Sequence, residues 1–139
     1  MLCATYLTLN GQTRTISGHI ITEDYKSLPM ATIYSIDTIE IAKADIDGNF
    51  KFDLPTGTKK LLVGYLGMEW TNIELKKGCS SIDIIMMYNV IYDFISLKRI
   101  HRKRLRRFKL LPEIHQKAYE KGIFSTPLPC YKMEFEEFK

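Results

Sequence analysis

The stretch Asp45-Ile46-Asp47-Gly48-Asn49-Phe50-Lys51-Phe52-Asp53-Leu54-Pro55-Thr56-Gly57 constrains the fold more than any other part of the chain. It reads as turn, strand, turn. Asp47-Gly48 is a hairpin signal, because a tight primed turn needs positive φ and glycine supplies it without a Cβ clash. Phe50, Phe52 and Leu54 then alternate with Lys51 and Asp53, so one face of the strand is apolar and the other wet. Pro55 and Gly57 close it.

Other segments repeat this grammar. Arg14–Thr22 places Ile16, Gly18 and Ile20 on one face, and Thr15, Ser17 and His19 on the other. Further strands are expected at Thr32–Ile36, Ile39–Ala44, Lys60–Tyr65, Trp70–Leu75 and Ser80–Tyr88. The turn after Ala44 is expected to pair Ile39–Ala44 with Asn49–Leu54 as a hairpin. Turns every eight to twelve residues without intervening helices imply a mainly β fold, a sandwich of seven strands. Past Tyr88 the period changes. Phe94, Leu97, His101, Leu105 and Phe108 recur at three- and four-residue steps, which is helical and offers an apolar stripe for docking. Pro112 should end or kink that helix. Glu113–Lys121 reads as a second short helix with Gly122 at C′, and Ile123–Pro129 as an extended, proline-punctuated segment.

Five blocks in this order carry a resemblance. They are Ile16-Ser17-Gly18-His19-Ile20, Leu28-Pro29-Met30-Ala31, Asp45-Ile46-Asp47-Gly48-Asn49-Phe50, Leu54-Pro55-Thr56-Gly57 and Tyr65-Leu66-Gly67-Met68. Over residues 14–88 the chain resembles the carboxypeptidase-regulatory-like domain, the transthyretin-like (prealbumin-like) Greek-key β-sandwich common in exported proteins of the Bacteroidetes, including the N-terminal extension of TonB-dependent outer-membrane receptors. Departures are small: Ala44 stands where Thr is usual, Met68 where an aromatic is frequent, and the loop before Leu28 lacks the usual Gly. The motif positions are Gly18, Pro29, Asp45, Asp47, Gly48, Phe50, Pro55, Gly57, Tyr65 and Gly67. The resemblance implies a structural role for them, no cofactor and a non-enzymatic, immunoglobulin-like module. Gly18 and Gly67 are expected where a side chain would block a close approach or a bulge.

No constellation for catalysis rises beside it. Asp45-x-Asp47-Gly48-Asn49 invites calcium, but an EF-hand loop counted from Asp45 would need Gly at Phe50 and Glu at Thr56. His19, His101 and His115 lie in no zinc-binding pattern. There is no Gly-x-Ser-x-Gly elbow and no phosphate loop. Cys3, Cys79 and Cys130 have no ligand spacing and read as unpaired thiols; Cys79 and Cys130 are free to pair in an oxidising compartment.

Charge divides the chain. Residues 1–90 carry 8 Lys+Arg against 10 Asp+Glu, and residues 91–139 carry 12 against 6, which restores the totals of 20 and 16. The run Lys98–Lys109 holds Lys98, Arg99, Arg102, Lys103, Arg104, Arg106, Arg107 and Lys109, a candidate contact for an anionic partner. The organisation expected is therefore residues 1–12 as the remnant of a signal peptide (Thr5–Leu9 as a first strand is the competing reading), 13–89 as the sandwich, and 90–139 as a basic helical extension. The sandwich is expected to fold without that extension. The functional expectation is a non-enzymatic cell-envelope interaction module, periplasmic or outer-membrane associated, contacting an envelope protein or an anionic membrane surface. Nucleic acid is disfavoured for an exported chain. The alternative is a cytoplasmic nucleic-acid-binding protein using helix 98–109.

Overall fold

Alternation of apolar residues builds two facing sheets. The computed structural model describes residues 12–90 and 94–135, so the signal-peptide and first-strand readings of the N-terminus, and Cys3, lie outside the described residues. Among the described residues the strands are β1 (Thr13–Thr22), β2 (Thr32–Ser35), β3 (Glu40–Lys43), β4 (Asn49–Pro55), β5 (Lys60–Gly64), β6 (Thr71–Leu75), β7 (Ile84–Met86) and β8 (Tyr131–Glu134), and the helices α1 (Leu97–Lys109) and α2 (Leu111–Glu120) lie between β7 and β8. One sheet has three strands in the order β4-β1-β7, the other five in the order β3-β2-β5-β6-β8. Their inner faces meet through Ile16, Ile20, Ile33, Phe50, Phe52, Leu54, Leu61, Val63, Ile73 and Ile84. This is the mainly β sandwich expected, with eight strands among the described residues where seven were expected.

The Asp45–Asn49 turn is real, but it does not make a hairpin. β3 belongs to the five-stranded sheet and β4 to the three-stranded one, so the chain crosses from sheet to sheet at this corner. β4 pairs antiparallel along β1, from Thr13 opposite Pro55 to His19 opposite Asn49. Nor is the turn primed. Gly48 has φ 80° while Asp47 does not share the left-handed region. Gly48 N–H donates to Asp45 O at 3.1 Å, and Asp45 Oδ1 accepts from Asp47 N–H and Asn49 N–H, both at 2.9 Å. The Asp45 carboxylate is thus spent on turn amides. A Cβ on Gly48 would also meet Ile20 O at 2.8 Å, so glycine is required here by φ and by space.

The eighth strand comes from the tail. β8 pairs antiparallel with β6, Leu75 opposite Tyr131 and Asn72 opposite Glu134, and the Tyr131 ring is buried in the main core. Cys79 and Cys130 form a disulfide with Cα atoms 5.6 Å apart, which corrects the reading of unpaired thiols. Their partners were hidden because 51 residues separate them, so no local spacing announces the bond. Buried Asp83 adds a polar staple: Oδ1 accepts from His19 N–H at 3.2 Å, and Oδ2 accepts from Ser125 N–H at 3.0 Å and Ser125 Oγ at 3.1 Å. The expectation that strands before residue 90 make the core alone is therefore corrected.

A second core lies outside the three-stranded sheet. Ile21 of β1 and Ile85 beside Met87 point away from the sandwich and meet Leu111, Ala118 and Phe124. The helices are thus docked on the sheet's outer face near β7. Tyr25, in the loop that lacks the usual Gly, takes φ 67°, an uncommon conformation for a bulky residue. Its ring lies 5.0 Å from Lys121 Nζ and packs against the second core, so the tail supports this strained loop.

Candidate functional site

The basic helix α1 lies outside the sandwich core. Ser96 caps α1, its Oγ accepting from Arg99 N–H at 3.3 Å. Arg106, Arg107 and Lys109 occupy the last turn, where cations complement the negative end of the helix dipole. The helix stops at Lys109, and Pro112 opens α2 at its first turn, where a missing N–H costs nothing. Gly122 follows the Lys121 cap with φ 79°, the C′ role expected of it.

The inward face keeps only the C-terminal part of the apolar stripe expected: His101, Leu105 and Phe108 are half-buried, and Phe108 packs against the second core. Phe94 and Leu97 are exposed, at 105% and 63%. Phe94 precedes α1 and Leu97 is its first residue. The docked face centres instead on Arg104, which is 4% exposed. Arg104 Nε donates to Glu69 Oε2 at 3.0 Å and Nη2 to Glu69 Oε1 at 2.6 Å, a two-pronged pair whose planar fork matches the carboxylate. The Phe135 ring lies 5.0 Å from the guanidinium carbon and also meets His101 and Phe108. Arg107 makes a similar pair with Glu23 and donates to Tyr88 O at 2.8 Å. Tyr88 N–H donates back to Glu23 at 2.8 Å, and its hydroxyl to Asp24 at 2.7 Å. Hydrogen bonds from the Thr22 hydroxyl and then Tyr88 hold the Asp24 carboxyl below the usual carboxylate range.

Two of the eight candidate cations are thus turned inward as docking residues. The remaining six, Lys98, Arg99, Arg102, Lys103, Arg106 and Lys109, are exposed. No acidic residue lies on α1, and none of the six makes an ion pair among the described residues. Several stand four residues apart, Lys98 with Arg102, Arg99 with Lys103 and Arg102 with Arg106, where like charges oppose helix formation. Sequence periodicity locates the helix but not its inward centre, because Glu69 and Glu23, the partners that select Arg104 and Arg107, lie 35 and 84 residues away.

The internal pair is testable. Arg104→Met should cost about 2–3 kcal/mol, because it leaves Glu69 (side chain 14% exposed) without its counter-charge. Adding Glu69→Met should restore part of the loss. Urea unfolding of the single and double variants checks this; a wild-type midpoint for Arg104→Met would sink the docking role.

The histidines are scattered. His19 Nε2 lies 2.8 Å from Ser27 Oγ, His101 on α1 meets the Phe135 ring, and buried His115 faces Thr126 O at 3.1 Å. Burial lowers His115 below the usual imidazole range, a shift that Thr126 O and Asp83 partly oppose. No group of three or more His, Cys, Asp or Glu is placed to hold a metal among the described residues. Cys79, the one thiol in a basic turn, is consumed in the disulfide. No helix among the described residues is long and apolar enough to cross a membrane.

The motif residues sit where they serve the backbone. Gly18 crosses the Ile82 carbonyl, and a Cβ there would stand 1.6 Å from Ile82 O. Gly67 is a correction: nothing lies within 4 Å of its Cβ position, and its φ of 83° in the Tyr65–Met68 turn is what calls for glycine. Pro55 ends β4, and Gly57 has open space around it. Pro29 precedes Met30, which has φ 67° and donates to Ala44 O at 3.2 Å.

This architecture, with motif residues spent on turns and crossings, defines a β-sandwich module. The model of the CarboxypepD_reg-like domain matches residues 16–90, more than half of the 139 residues, and the chain belongs to that family. No curated protein matches it significantly.

Proposed function

We propose that the protein is an exported interaction module of the cell envelope. Its outward α1 face contacts an anionic partner, an envelope protein or a membrane surface. The carrying observation is the set of six exposed, unanswered cations on a helix pinned rigidly by two internal ion pairs. Unopposed like charges cost helix stability. They gain a role when an anion answers them, at about 1 kcal/mol per cation near an anionic surface. The Cys79–Cys130 disulfide favours an oxidising compartment over the cytoplasm, and with it the envelope over nucleic acid as the setting.

The test is retention on immobilised heparin across a salt gradient. Arg99→Gln, Arg102→Gln, Lys103→Gln and Arg106→Gln together should remove about 4 kcal/mol of contact, roughly a thousandfold in affinity. They leave Arg104 and Arg107 in place and relieve like-charge pairs, so thermal unfolding should be unchanged or slightly later. Retention equal to the parent would refute the reading.

A further inference from the structure

We propose that the cleft between the helical tail and strands β7 and β8 binds an amphipathic anion, a medium-chain carboxylate of the fatty-acid class. The cleft has a volume of about 430 Å³ and an apolar wall that includes Ile85, Phe108, Leu111, Tyr131 and Met133. A neighbouring cleft of about 200 Å³ shares Ile85, Phe108, Leu111 and Met133 with it, so the two adjoin beneath α1. The larger one lies in the range typical of ligand sites, about 300–1,000 Å³.

Its origin lies in how the tail is held. α1 is pinned chiefly by polar forks, Arg104 to Glu69 and Arg107 to Glu23, with Phe108 at its C-terminal end as its apolar contact to the second core. α2 is held by Leu111 and Ala118 in the second core. The junction between these anchors is left with an open apolar wall where protein interiors otherwise pack closely. Such a wall favours a hydrocarbon body, at about 25 cal/mol per Å² removed from water.

Charge selects the head. The lysines lining the cleft are Lys109 and Lys132, both exposed, and no Asp or Glu is among its described lining residues. Neither lysine forms an ion pair among the described residues. His115 also lines the cleft, but its Nε2 is engaged with Thr126 O at 3.1 Å. The lining therefore complements one negative group attached to an apolar chain, and opposes a positive one.

The experiment is calorimetric titration of the full chain with dodecanoate below its micelle concentration, and with dodecyltrimethylammonium under the same conditions. Expected are saturable one-site binding of dodecanoate with a negative heat-capacity change, and at least tenfold weaker binding of the cation. Lys109→Gln with Lys132→Gln, both at exposed positions, should weaken dodecanoate about tenfold and leave thermal unfolding unchanged. Met133→Trp should fill the cleft and abolish binding; if it fails to fold, the lysine pair still decides. No saturable binding, equal binding of the two probes, or unchanged affinity in the lysine variant would each overturn the proposal. The heparin variant leaves both lysines intact, so failure there and failure here are separate results.

Discussion

A chain ending at Asn89 should fail to fold cooperatively, although it retains every strand that the family motif covers. Three losses coincide. The Cys79–Cys130 disulfide, which ties the end of the tail to the segment before β7, is lost; to the intact chain this closure of 51 residues is worth about 4 kcal/mol in the loop-entropy account. Removing β8 strips the hydrogen-bonded neighbour from β6 and takes Tyr131 out of the main core. Removing the helices uncovers Ile21, Ile85 and Met87, all buried in the second core, and leaves Glu69 and Glu23 without their arginines. Near-ultraviolet circular dichroism and urea unfolding are the measurements. A truncated chain with a cooperative transition at the full chain's midpoint would show that the tail is an appendage. As an independent arm, reduction of the intact protein should lower its urea midpoint.

How much of this was legible in the sequence depended on range. Period-two alternation in Asn49–Pro55 forecast correctly which residues of β4 are buried, because strand geometry alone assigns the faces. The Asp45–Asn49 turn was legible for the same local reason. The partner of β4 was not. The turn closes within five residues, but pairing with β1 is decided by a register that begins over thirty residues earlier. The tail shows the same division. Its two helices, the proline break and Gly122 were readable from local signals. The Arg104–Glu69 fork was not, since an arginine inside a basic run reads as one more solvated cation until its carboxylate is placed beside it. Tyr131-Lys132-Met133-Glu134 does alternate, but a four-residue strand behind a proline-rich segment has too little pattern to announce itself. For the candidate site, the sequence identified the charged helix, and packing then divided its cations into docking and outward-facing sets.

Gly18→Ala should be among the most damaging single substitutions available in this chain, at about 4 kcal/mol or more. A Cβ at this position would lie 1.6 Å from Ile82 O, 2.6 Å from Ile82 C and 2.8 Å from the tip of the Phe50 ring. Phe50 could rotate, but the Ile82 carbonyl is backbone. It is held in place on both sides: Ser17 N–H donates to Ser80 O at 2.9 Å, and Ile82 N–H donates to Ser17 O at 2.8 Å. Relieving the clash means pulling the approach to β7 away from β1, which exposes Ile82 and Ile84 of the main core. A methyl group already produces the collision, so valine should add little to alanine. Other glycines separate this cause from glycine's general freedom. Gly67→Ala meets open space and pays only for φ 83°, about 1–2 kcal/mol. Gly57→Ala has open space and no positive φ, and should be neutral or stabilise by about 0.4–1 kcal/mol through the unfolded chain. Urea midpoints should therefore rank Gly57→Ala highest, then Gly67→Ala, then Gly18→Ala. If Gly18→Ala unfolds no earlier than Gly67→Ala, β1 and the Ile82 carbonyl do not cross at the distance described, and the family's first block would owe its glycine to something other than steric necessity.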